Sequence, residues 1–87
     1  MQKFTKRISV SQSFNPEFTF IRLFTIQSVR YNVFVRDNAN HLEVFEMHLV
    51  RNEWKIMGRQ TIPNWIALVE KQLADAIVES LIGQDYA

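Results

Sequence analysis

Cysteine is absent from the chain, and glycine and proline occur only twice each in 87 residues. The first absence excludes a disulfide scaffold, a thiolate metal site and thiol catalysis together. The chain likewise shows no linker, low-complexity stretch or internal repeat. Histidine is also scarce: His41 and His48 are the only imidazoles. Seven apart on one strand, they would point to opposite faces and could not share a metal ion. No apolar run is long enough to span a bilayer, and Met1 to Arg7 lacks the apolar core and cleavage pattern of a signal peptide. The expectation is a cytoplasmic protein without membrane contact or cofactor.

Aromatic residues are plentiful, with seven Phe and two Trp in a chain that is 47% hydrophobic. This suffices for one core and not for two, so residues 1–87 are expected to form a single domain. At ~0.05–0.15 kcal/mol per residue its stability would be about 4–13 kcal/mol, and one buried aromatic, worth roughly 3–5 kcal/mol, would be a large share of that.

The formal net charge of +1 conceals a division of charge along the chain. Residues 1–61 carry nine Lys and Arg against five carboxylates, a surplus of four, whereas residues 62–87 carry one against four, a deficit of three. Either two layers of the fold attract each other, or the basic part meets an anionic partner.

The first two thirds read as strands. Phe4, Ile8 and Val10 mark one from Phe4 to Val10, closed by the punctuation Ser11 to Pro16. Phe18 to Ile26 carries two signals. Asn15-Pro16-Glu17 resembles a helix start, while the β-branched and aromatic residues that follow favour a pleated surface, and strand is the choice taken. A turn is expected within Gln27 to Arg30, because one strand from Phe18 to Val35 would be about 60 Å long at ~3.3 Å per residue. Strands over Tyr31 to Arg36, His41 to Val50 and Trp54 to Gln60 follow, separated by Asp37-Asn38-Ala39-Asn40 and Arg51-Asn52-Glu53. A two-residue turn at Asn52-Glu53 would set Leu49 opposite Ile56. Alternation then groups Phe45, Met47, Leu49, Trp54 and Ile56 on the core side, and Val44, Glu46, His48, Val50, Lys55, Met57 and Arg59 on the other.

The last third predicts one amphipathic helix from Pro63 to Gly83. Ile66, Val69, Leu73, Ala76, Ile77 and Leu81 form its apolar stripe, with Asn64, Lys71, Asp75 and Glu79 away from it; proline suits the first helical position and glycine the stop. Trp54 and Trp65 are placed to join helix and sheet. The fold class that results is α+β: an antiparallel meander of four or five strands followed by one long C-terminal helix packed on one face.

No catalytic, metal or cofactor motif stands out, and an enzyme is not expected. Glu70 falls on the stripe facing the sheet, where a carboxylate needs a cation or hydrogen bonds; a structural tether to an Arg or to the Trp54 indole is preferred over an acid–base role. The candidate binding face is the open side of the sheet, with Tyr31, Glu46, His48, Lys55, Met57 and Arg59. A one-layer sheet with one helix cannot cover both of its sides, so a protein-interaction module is the first reading, with a second copy of the chain covering the reverse face. Aromatic and cationic groups there would also suit single-stranded nucleic acid, the second reading, and the order of a strand meander followed by a helix is similar to that of Whirly-type DNA-binding modules. A small-molecule pocket between helix and sheet is the third.

Overall fold

A computed structural model of the chain describes residues 2–24 and 28–85. Five strands, β1 (Gln2–Arg7), β2 (Glu17–Phe24), β3 (Val29–Arg36), β4 (Leu42–Val50) and β5 (Glu53–Met57), precede a short helix α1 (Asn64–Ala67) and the long helix α2 (Glu70–Asp85). The strands form one antiparallel sheet in sequence order, a meander followed by the C-terminal helix, and the class is α+β.

Alternation creates the two faces. Phe18 and Phe20 of β2, Val33 and Val35 of β3, and Phe45 and Met47 of β4 point to one side and are buried there against Ile66, Leu73 and Ile77. An aromatic row crosses beneath the helix: Phe4 stacks on Phe20 at 4.5 Å between ring centroids, and Tyr31 meets the edge of Trp54 at 5.2 Å. Trp65 packs against Phe14 and Phe18 at the other end. Of the apolar residues expected on the helix, Ile66, Val69, Leu73, Ala76 and Ile77 are buried, while Leu81 is only partly buried at the margin of the core.

Residues 17–24 are a strand, against the helix-start signal before them. Pro16 offers its carbonyl to the Ile8 amide at 3.1 Å and Asn15 offers its own to the Arg7 guanidinium at 2.6 Å, so the segment is held against the end of β1 instead of nucleating a helix. β1 is shorter than Phe4 to Val10, because pairing with β2 ends at Arg7, opposite Glu17. Val29 and Arg30, expected in a turn, already pair with Phe24 and Leu23, and Ile26 and Gln27 lie outside the described residues.

The β4–β5 hairpin turns one residue earlier than expected. Arg51 and Asn52 both have positive φ, 52° and 68°, the requirement of a two-residue turn whose twist matches its strands. Leu49 therefore faces Trp54, and Met47 faces Ile56. The residues within β4 and β5 keep their expected faces, but Leu49 sits near the hairpin tip and is 51% exposed. His41 also leaves the strand for the preceding turn, where Asp37 Oδ1 accepts from the amides of Ala39 and His41 at 2.9 and 2.8 Å.

The predicted single helix is two pieces. Pro63 stands one residue before α1 with ψ near 144°, and at the junction the Val69 amide reaches back three residues to Ile66 at 3.1 Å. This tighter turn accompanies the burial of both Ile66 and Val69. α2 continues through Gly83 to Asp85, since glycine is unfavourable in a helix by only about 1 kcal/mol and does not terminate one by itself. Glu70 at the start of α2 reaches β5, and Glu79 lies 3.5 Å from Lys6 of β1, so α2 crosses the sheet from one edge strand to the other. No helix among the described residues is long and apolar enough to cross a membrane.

Candidate interaction face

The reverse side of the sheet is assembled by register. Arg30 lies beside His48 and His48 beside Lys55; one step along, Asn32 lies beside Glu46 and Glu46 beside Met57; one step further, Phe34 lies beside Val44. All share a parity opposite to the buried residues, because cross-strand partners point the same way. Leu42, Val44, Val50 and Met57 are 42–52% exposed on this side, large apolar groups that no element of the described chain covers.

At its centre Glu46 is held by two cationic or potentially cationic groups. The imidazole Nε2 of His48 lies 2.9 Å from Glu46 Oε1, and Arg30 Nη1 lies 3.5 Å from the same oxygen. The His48 hydrogen bond, aided by the Arg30 charge, holds the Glu46 carboxyl below its usual range despite some desolvation. Arg30 Nε is buried without a hydrogen-bond partner among the described residues. Lys55 pairs with Glu53 at 3.2 Å along the same strand. A shallow depression of about 440 Å³ lies between Asn32, Val44, Glu46, His48, Met57 and Gly58 on this part of the face.

Of the expected face residues, Glu46, His48, Lys55 and Met57 stand together, and two do not. Tyr31 is opposite Met47 and only 2% exposed, so it belongs to the core; burial raises its hydroxyl pKa, partly offset by the Arg22 charge. The register that puts Arg30 beside His48 necessarily sends Tyr31 to the other side. Arg59 has left the sheet, because β5 ends at Met57 and Gly58, at φ 68°, turns the chain into a 3-10 segment over Arg59–Thr61. A side chain at Gly58 would be strained at that φ and would crowd Thr61 Oγ1. Arg30, Asn32, Phe34 and Arg36 of β3 are face residues that the sequence pattern did not name; alternation within β3 identifies them once Tyr31 is known to point inward.

Arg59 instead meets Glu70. The Glu70 side chain is 14% exposed, its Oε1 lies 3.5 Å from Arg59 Nη1, and its Oε2 accepts from the Ile56 amide at 2.8 Å. The carboxylate thus receives a cation and a backbone donor on the outer edge of β5, not the Trp54 indole. His41, in its turn, lies 3.3 Å from Asp37, whose carboxyl is lowered chiefly by the His41 backbone amide. Among the described residues no three of His, Asp and Glu converge as metal ligands.

Comparison of the chain with known protein families, with characterised proteins and with solved structures gives no match.

Proposed function

We propose that this chain is a non-catalytic protein-interaction module that self-associates through the reverse face of its sheet. The observation that carries the reading is the row of exposed Leu42, Val44, Val50 and Met57 on a sheet whose other face is filled by its own helices. Five strands spaced ~4.8 Å apart, each up to about 25 Å long, present roughly 600 Å² of planar area, near the ~800 Å² per partner of a standard interface. The face also carries both signs of charge, Glu46 and Glu53 among Arg30, Arg36 and Lys55, which a two-fold contact between identical surfaces can set against each other.

Light scattering after gel filtration tests it. The wild-type chain is expected to exceed its monomer mass of 10.3 kDa at high micromolar concentration, and Val44→Glu with Met57→Glu should reduce that mass while the circular-dichroism melt is retained. A wild-type monomer throughout, or an unchanged assembly in the double variant, would end this reading.

Single-stranded nucleic acid is the second reading, favoured by the surplus of Lys3, Arg7, Arg30, Arg36 and Lys55 over Glu17, Glu46 and Glu53 on this side. Its stacking platform is weakened by the placement of Tyr31 in the core. Binding of an oligonucleotide that falls steeply with salt and is lost in Lys55→Glu would support it.

A further inference from the structure

The sheet has two edge strands, and their chemistry differs. β1 carries Lys3, Lys6 and Arg7 in six residues, a concentration of one charge that opposes pairing with a copy of itself. β5 has the sequence Glu53-Trp54-Lys55-Ile56-Met57, with opposite charges placed symmetrically about Trp54.

Hydrogen-bond phase decides which of its backbone groups are open. A two-residue turn at Arg51-Asn52 makes Val50 and Glu53 the bonded closing pair, so Glu53, Lys55 and Met57 bond to β4 and the N–H and C=O of Trp54 and Ile56 point outward. The Ile56 amide confirms the phase, since it donates outward to Glu70. With Glu70 occupying the Ile56 rung, Trp54 is the position on this edge whose N–H and C=O are open among the described residues. Beside it, between Trp54 and the α2 residues Lys71, Ala74 and Val78, runs a cleft of about 370 Å³, so the helix does not seal the edge.

We infer that β5 pairs antiparallel with β5 of a second copy, centred on Trp54. In that register the two Trp54 residues exchange both backbone hydrogen bonds, and Glu53 of each copy lies opposite Lys55 of the other in the closer, non-bonded type of pair. Both contacts are identical by symmetry, as an isologous interface requires. Shifting the centre to Ile56 would require displacing the Glu70 carboxylate, so the register is set by a residue on α2. The two-fold axis is perpendicular to the sheet, and the product is a ten-stranded layer with both reverse faces on one side. The surface differs from the one proposed above, and the two can fail separately.

Charge reversal tests the pairing. Glu53→Lys alone gives each edge two cations, Lys55→Glu alone gives each two anions, and either should weaken edge association roughly ten- to thirtyfold by replacing two attractive cross-strand pairs with two repulsive ones. A 1:1 mixture of the two variants should recover association as a heterodimer, because each cation then faces an anion. The direct readout is amide hydrogen exchange at Trp54, expected to slow at least about tenfold from low micromolar to millimolar protein in the wild type and in the mixture, and not in either variant alone. Val44→Glu with Met57→Glu should leave that protection in place. Trp54 exchange independent of concentration, or a mixture no better associated than its components, would overturn the pairing, and a wild type that still assembles under those results would do so by the face alone.

Discussion

The two faces of the sheet are built from the same strands and from residues that alternate one by one, yet one is packed and the other open. On the helix side, Phe18, Phe20, Val33 and Met47 are wholly enclosed; one residue along, Thr19, Asn32, Val44 and His48 face outward. Composition does not separate them cleanly, since the outer side still holds Leu42, Val44, Val50 and Met57. The difference comes from supply: one amphipathic helix can cover one side of one layer. What remains on the other side is apolar enough to associate and charged enough to choose how.

Removing a core aromatic from the covered face should have the largest effect. Phe20→Ala deletes a fully buried ring stacked on Phe4 and is expected to cost about 3–5 kcal/mol in urea denaturation, a large part of the total stability. Glu70→Ala should be intermediate, about 1–3 kcal/mol, because it leaves the Ile56 amide without its acceptor and Arg59 without its partner where helix meets edge. If its cost were as small as that of a surface change, the Glu70 contacts would not hold α2 to β5.

On the open face and in the β3–β4 turn the expected effects on folding are small and depend on pH. Glu46 and Asp37 have carboxyl pKa values lowered in the fold, so the folded state binds their protons less readily than the unfolded chain. Their stabilisation is present above the ordinary carboxylate value of about 4 and is lost as pH falls through the folded values. The urea midpoint should decline as pH falls below the ordinary carboxylate range, and Glu46→Gln should flatten part of that decline. An identical pH profile in the variant would show that the His48 and Arg30 contacts do not stabilise the fold. Lys71→Ala, at an exposed helix position, should change stability by no more than about 0.5 kcal/mol.

The places where sequence pattern and structure diverge have a common origin. Periodicity within an element is local, so the buried stripe of the helix and the two sides of β4 and β5 were legible in the order of residues alone. Tyr31 was not, because its side depends on which residue of β4 lies opposite, and that register is set across the sheet. Arg59 was misplaced by continuing the alternation of β5 past Gly58, whose positive φ ends the strand. Glu70 could be recognised as a carboxylate in need of partners, whereas the Ile56 amide as acceptor-seeking partner became visible only when the outward phase of β5 was known. The open Trp54 rung belongs to the same category.

Residue order by itself therefore determined the class of fold, the amphipathic helix and the alternation of each strand, because these follow from repeats of 2 and 3.6 residues that neighbouring side chains carry. Tertiary structure decided the turn at Arg51-Asn52, the break between α1 and α2, the inward placement of Tyr31 and the edge position of Glu70. Each of these depends on where one strand stands relative to the next, and that is settled by burying the most apolar surface with the fewest unpaired backbone groups, a condition on the whole chain and not on any segment of it.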